Sequence, residues 1–162
     1  MAPWFAVWTR SRHERVVRDQ LAGLGFEVFL PTVMRWRRWN DRRKQVEFAL
    51  FPGYCFARFL RSDRLPVLKC SGVVDVVSFN GEIAPIPEHE IESIRTLLAS
   101  QLPFDPCPLI PEGALVRVAH GPLRGAIGRI ERKGPRTNLV LSIDILNRAV
   151  SVTVDAADIE PL

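Results

Sequence analysis

The chain has 162 residues, 47% of them apolar and 25% charged, and its 22 Lys plus Arg against 18 Asp plus Glu leave a formal charge of +4. That balance belongs to a globular protein with room for one ordinary domain or two small ones, and it excludes collagen-like and fully disordered chains. No apolar run approaches the ~20 residues of a membrane span, and the stretch after Met1 has no basic region followed by an apolar one, so a cytoplasmic protein without a membrane partner is expected.

In chain order, Trp4 to Trp8 is an apolar run suited to a buried strand. Ser11-Arg12-His13-Glu14 has the capping-box pattern, in which the Ser hydroxyl and the Glu carboxylate each satisfy an orphan helix N–H. The helix it opens places Val17, Leu21 and Leu24 on one face and stops at the Gly23/Gly25 pair. Phe26 to Pro31 reads as a strand, and Thr32 to Trp39 with Lys44 to Phe51 as a long hairpin tipped by Asn40-Asp41. Tyr54 to Phe59 is a further strand, Asp63 to Lys69 a short helix interrupted by Pro66, and Val73 to Phe79 a strand entering the Asn80-Gly81 turn. Pro87 to Gln101 is a helix with Ile91, Ile94, Leu97 and Leu98 on its apolar side. Helices and strands alternating irregularly around hairpins predict an α+β sandwich, an antiparallel sheet with flanking helices, over a doubly wound sheet.

Pro103, Pro106, Pro108 and Pro111 interrupt the next stretch, which can neither continue a helix nor fill a central strand. The chain therefore divides into residues 1–102, a Pro-rich linker at 103–111, and residues 112–162. In the last part Ala114 to Val118, Ala126 to Arg132, Leu139 to Ile145 and Ala149 to Val154 are short, rich in Val and Ile, and separated by Gly121-Pro122, Gly134-Pro135 and Asn147. That spacing predicts a small all-β barrel.

Charge is segregated along the chain. Residues 1–69 carry 14 basic and 6 acidic side chains, whereas residues 70–105 carry 1 and 6, so one face can meet a polyanion while another is kept away from it. The densest run is Arg35-Trp36-Arg37-Arg38-Trp39-Asn40-Asp41-Arg42-Arg43-Lys44, the hairpin. Arg neutralises phosphate and exposed Trp offers a stacking platform for an unpaired base, so Arg37, Arg38, Arg42, Arg43 and Lys44 are candidate nucleic-acid contacts; a solvated hairpin without a partner is the alternative. Arg10, Arg12 and Arg15 form a second basic group beside the first helix. Cys55, Cys70 and Cys107 are odd in number and never C-x-x-C, and His13, His89 and His120 lie far apart, so no disulfide framework, metal site or cofactor is expected.

Glu112-Gly113-Ala114-Leu115-Val116-Arg117-Val118 followed by Gly121-Pro122-Leu123-Arg124-Gly125-Ala126-Ile127-Gly128 resembles the KOW motif, a strand passing through a tight glycine loop into a second strand. Phe51-Pro52-Gly53-Tyr54-Cys55-Phe56, with the basic hairpin before it and the Trp4-Phe5-Ala6-Val7 opening strand, resembles the amino-terminal domain of the NusG/RfaH family of transcription elongation and antitermination factors. The resemblance covers nearly the whole chain in the family's order and implies the NusG amino-terminal α/β sandwich followed by a KOW barrel.

It also implies partners. The family's amino-terminal domain docks an apolar patch on the clamp helices of the largest RNA polymerase subunit; by motif this patch includes Phe51, Tyr54 and Phe56, supported by Trp4 and Phe5. Aromatic side chains concentrate binding energy, although strand alternation leaves open that Tyr54 and Phe56 are core. The Arg10, Arg12 and Arg15 neighbourhood contacts the non-template DNA strand in specialised members, and nascent RNA is the other nucleic acid within reach. Those members carry a basic residue before the glycine of a nearby loop, where this chain has Cys70-Ser71-Gly72 and departs from the pattern. Ile145-Leu146-Asn147-Arg148 matches the segment through which the KOW domain meets a small-subunit ribosomal protein or the termination factor Rho, with Leu146 and Arg148 as contacts. Some relatives refold this domain into a helical hairpin, which the β-rich Leu139 to Ile143 and Val150 to Val154 disfavour.

The chain shows no P-loop, no G-x-G-x-x-G and no G-x-S-x-G, and Glu88, Glu90 and Glu92 read as charge at a helix start, so no enzyme is expected. The expectation is a monomeric, cofactor-free elongation factor, a specialised NusG paralogue that modulates pausing, termination or antitermination. The alternative is a KOW-bearing RNA-binding or ribosome-associated protein.

Overall fold

The computed structural model describes residues 2–107 and 113–162. The chain forms two compact units that divide between Pro85 and Ile86. In the first, β1 (Trp4–Thr9) leads into α1 (Glu14–Gly23) and β2 (Glu27–Phe29); β3 (Thr32–Trp39) and β4 (Arg42–Ala49) make a separate hairpin; β5 (Tyr54–Arg58) precedes a single 3-10 turn and α2 (Arg64–Leu68); β6 (Val73–Val76), β7 (Ser78–Phe79) and β8 (Glu82–Ile83) complete the unit. An antiparallel sheet runs in the order β2-β5-β1-β6. Its inner face buries Phe5, Val7, Cys55 and Ala57 against Val17 and Leu21 of α1 and Val67 of α2, with Phe59 closing the core.

Local chemistry explains most of these elements. Asn80 and Gly81 both take positive φ, 53° and 83°, as a two-residue hairpin turn of the favoured hand requires. Pro66 sits in the first turn of α2, where its missing N–H has no intrahelical acceptor to serve, so it starts the helix and does not interrupt it. The expected capping box is absent. Arg12 turns left-handed at φ 63°, which takes Ser11 off the helix, and His13 becomes the N-cap without a side-chain cap bond. Glu14 instead accepts from the Gly53 N–H at 3.4 Å, and Leu24 faces outward and is half exposed.

The second unit contains α3 (Glu88–Ser100), β9 (Asp105–Cys107), β10 (Leu115–Val118), β11 (Ile127–Lys133), β12 (Arg136–Ile143), β13 (Arg148–Val154) and β14 (Ile159–Pro161). The strands form one antiparallel sheet in the order β14-β10-β11-β12-β13-β9, with β14 and β9 as its edges among the described residues. Leu139 to Ile143 and Val150 to Val154 are strands, not helices.

The division differs from the expected one in two places. The helix assigned to the first domain belongs by its packing to the second unit: Ser93 Oγ accepts from the Ile127 N–H at 2.9 Å, and Glu90 Oε1 accepts from the Asp144 N–H at 3.2 Å. Within the expected linker, Asp105 to Cys107 pair with Ser151 to Ala149 as an edge strand, a position where proline costs no ladder bond if its nitrogen faces away. Residues 108–111 of that linker, and Glu112 at the expected start of the barrel, lie outside the described residues.

Gly128 shows why the loop motif needs its third glycine. A Cβ there would stand 2.5 Å from the Val140 carbonyl oxygen, fixed in the backbone of the neighbouring strand, and 2.9 Å from Leu141 Cδ2. Gly128→Ala is expected to cost about 1–3 kcal/mol, read as a lower denaturation midpoint of the full chain; an unchanged midpoint would show that β11 and β12 are not packed this tightly.

Candidate functional site

Phe51-Pro52-Gly53-Tyr54 closes a β-turn, with the Tyr54 N–H donating to the Phe51 carbonyl at 3.2 Å and Gly53 at φ 89°. Proline second and glycine third are what a type II turn requires. The turn delivers β5 alongside β1 in a register that pairs Trp4 with Arg58, Ala6 with Phe56 and Trp8 with Tyr54. Directly paired residues share a face, so these six side chains lie opposite the Phe5/Val7 core.

The expected aromatic patch is therefore split by burial. Phe5 lies in the core, stacked on Phe59 at 4.8 Å between ring centroids, so it offers no surface to a partner. Trp4, Phe51 and Phe56 are also buried in the chain, Phe56 with its ring edge-on to Phe51 at 6.0 Å and close to Phe29 at 6.2 Å. The Arg58 guanidinium lies 5.1 Å from the Trp4 ring centroid. Tyr54 is half-exposed, and its cross-strand partner Trp8 is 49% exposed. These two rings line an open groove of about 310 Å³ with Asp75, Val76, Val77 and Ser78. Sequence reading missed Trp8 because it closes an uninterrupted apolar run; alternation counted from Trp4 was the available signal.

The hairpin places its charge pairwise. Arg37 stands opposite Lys44 and Arg38 opposite Arg43, with no acidic side chain between them. Like charges directly across a strand pair repel, and none of these four makes an ion pair among the described residues. Arg38, Arg43, Trp36, Gln45, Met34 and Glu47 share one face by register, and the Arg43 guanidinium sits 5.8 Å from the centroid of Trp36, itself 64% exposed. The Trp39 side chain lies outside what is described; its backbone pairs with Arg42.

The second basic group joins this surface only in part. Arg15 reaches across from α1 to Glu47 of β4 at 2.6 Å, so its charge is compensated. Arg10 and Arg12 are exposed beside the Ser71-Gly72 loop: the Arg10 N–H donates to the Gly72 carbonyl at 2.8 Å, and Gln20 clamps both backbone groups of Ser71.

In the second unit, Leu146 is half-buried at the end of a 3-10 turn (Asp144–Leu146), Asn147 turns the chain at φ 55°, and Arg148 is exposed at the start of β13. Burial pushes the Cys55 thiol up to about 12, which leaves it an inert core group. Among the described residues no cluster of three His, Cys, Asp or Glu could hold a metal ion, and no helix is long and apolar enough to cross a membrane.

An α+β unit that carries a basic hairpin and the Trp8–Tyr54 pair is joined in sequence to a second unit, α3 on an antiparallel sheet. The family described as transcription termination factor nusG matches residues 2–95, more than half of the chain, and the chain belongs to that family. It is 30% identical over 158 residues to the transcription termination/antitermination protein NusG of Yersinia pestis, covering 93% of this chain and 86% of the relative. It is 28% identical over 177 residues to the protein of the same name from Lactococcus lactis, covering 98% and 92%. A solved structure titled "Domain interaction in Thermotoga maritima NusG" aligns over 100% of this chain and 98% of that one, at 22% identity and a TM-score of 0.49.

The hairpin geometry gives a test. Replacing Arg37, Arg38, Arg42 and Arg43 with Ala is expected to weaken single-stranded nucleic-acid binding and to flatten its log–log salt dependence by about 0.7 for each phosphate that is no longer neutralised. An unchanged slope would make the run a solvated face.

Proposed function

We propose that this protein is a specialised NusG paralogue that rides on RNA polymerase and modulates pausing, termination or antitermination. The observation that carries the proposal is the Trp8–Tyr54 pair, two aromatic rings in register at the end of the sheet, Trp8 exposed and Tyr54 partly so. Rings held by backbone pairing lose little conformational freedom on docking, which makes them efficient anchors for an apolar patch on a partner. The partner surface is the pair of clamp helices on the largest polymerase subunit, with Trp4, Phe51 and Phe56 packed on the same sheet face as supports. Identity of 30% to the Yersinia relative, together with the tryptophan-bearing basic hairpin, supports a specialised member over a housekeeping one.

The hairpin and the Arg10/Arg12 group then face the nucleic acid exposed beside the polymerase, the non-template DNA strand or the nascent RNA. The protein acts as a monomer, by binding and without a cofactor. We take residues 1–102 as the polymerase-binding domain, 103–111 as the linker and 112–162 as the KOW domain; the family match over residues 2–95 supports the first of these, while α3 and Asp105 to Cys107 pack with the second unit. The KOW domain recruits a small-subunit ribosomal protein or Rho through Leu146 and Arg148.

Trp8→Ala and Tyr54→Ala are each expected to weaken binding to purified polymerase by roughly thirtyfold, about 2 kcal/mol, with an unchanged melting temperature. Wild-type affinity in both variants would remove this face from the interface. Copurification with ribosomal subunits instead of polymerase would favour the ribosome-associated reading.

A further inference from the structure

α3 meets the KOW sheet through polar contacts that are unusual for a helix on a sheet. Ser93 and Glu90, three residues apart and so neighbours on one helical face, each accept a backbone N–H of the sheet unit, from Ile127 at 2.9 Å and from Asp144 at 3.2 Å. Both are buried, Glu90 at 5% exposure and Ser93 at 3%. Glu90 borders a small cavity of about 80 Å³ that also touches His89, Arg129, Ser142 and Asp144. His89 Nδ1 is buried there without a hydrogen-bond partner among the described residues. The Asp144 carboxylate, held by the Ser142 hydroxyl at 2.6 Å, stands in the same cavity lining.

A carboxylate buried beside a second carboxylate is costly when ionised and cheap when neutral. We propose that the contact between α3 and the Asp144–Leu146 turn is a proton-operated latch: neutral Glu90 holds α3 on the turn that leads to Leu146 and Arg148, and ionised Glu90 lets it go. The groups facing Glu90 are Asp144 from the turn, which repels its charge, Arg129 from β11, which partly offsets that repulsion, and His89 from α3 itself. Burial first and the Asp144 charge second push the Glu90 carboxyl up to about 7, against the hydrogen bond from the Asp144 N–H, which favours the ionised form.

The sign follows from linkage. The docked helix keeps its proton up to about 7, whereas an undocked Glu gives it up near the ordinary ~4.3. Docking is strongest at acid pH, weakens by about tenfold per unit as pH rises between those values, and levels off above the upper one. The latch goes beyond the polymerase-binding reading and stands or falls independently of it, because its test reads the helix contact alone.

The experiment is NMR on the full chain between pH 5 and 8, following the Glu90 side-chain carboxyl carbon and the exchange protection of the Asp144 and Ile127 amides, corrected for intrinsic exchange. The expected result is a Glu90 midpoint near 7, with amide protection falling as pH rises from 5 towards 7 and levelling off above that midpoint. Glu90→Gln, which keeps the accepting oxygen and cannot ionise, is expected to hold full protection at pH 8. Asp144→Asn is expected to move the midpoint down by removing the opposing charge, and it serves if the Gln variant is poorly folded. A Glu90 midpoint in the ordinary carboxylate range, or the same fall in protection with pH in Glu90→Gln, overturns the latch.

Discussion

The pairing of β1 with β5 is the constraint on which the first unit depends. It places Phe5 opposite Ala57 and Val7 opposite Cys55 on the face that closes over α1, and in the same stroke places Trp8 opposite Tyr54 on the other face. A slip of one residue would turn the core outward and bury Trp8 and Tyr54, so register here decides both the core and which rings reach the surface. The start of β5 is fixed by the Phe51–Tyr54 turn, which depends on Gly53 occupying the left-handed region, and the turn is tied to β1 by the Thr9 N–H donating to the Gly53 carbonyl at 2.8 Å.

The hairpin works on the opposite principle. Its register sets Arg37 against Lys44 and Arg38 against Arg43, an arrangement that costs stability in the free protein and that an anionic strand, in the proposed reading, would relieve. One cation of the region is already compensated, Arg15 by Glu47, and that bridge braces the hairpin against α1. In the proposed reading the unit separates two kinds of recognition: rings held in register for an apolar protein surface and a repelling array of cations for phosphate.

Much of this was legible in the residues. Period-3.6 apolar spacing located α1 and α3, Val- and Ile-rich runs located β10 to β13, and Asn-Asp and Asn-Gly marked the hairpin tips. The failures have specific causes. The S-x-x-E pattern at Ser11 was overridden by the left-handed turn at Arg12. The short edge strands β9 and β14 each contain a proline and depend on neighbours distant in sequence. Residue type did not reveal which aromatic side chains are exposed, because the buried Phe56 and the half-exposed Tyr54 differ only in how far along β5 they sit. The attachment of α3 to the sheet rests on bonds spanning 34 and 54 residues, which no local pattern encodes.

The central claim, that one unit presents its Trp8–Tyr54 face to polymerase and its hairpin to nucleic acid, is tested most directly by site-specific photocrosslinking in a reconstituted elongation complex. A photoreactive amino acid in place of Trp8 is predicted to link to the largest polymerase subunit, and one in place of Trp36 to the non-template strand or the RNA. Crosslinks from position 8 to nucleic acid, or from neither position to any component of the complex, would contradict the account.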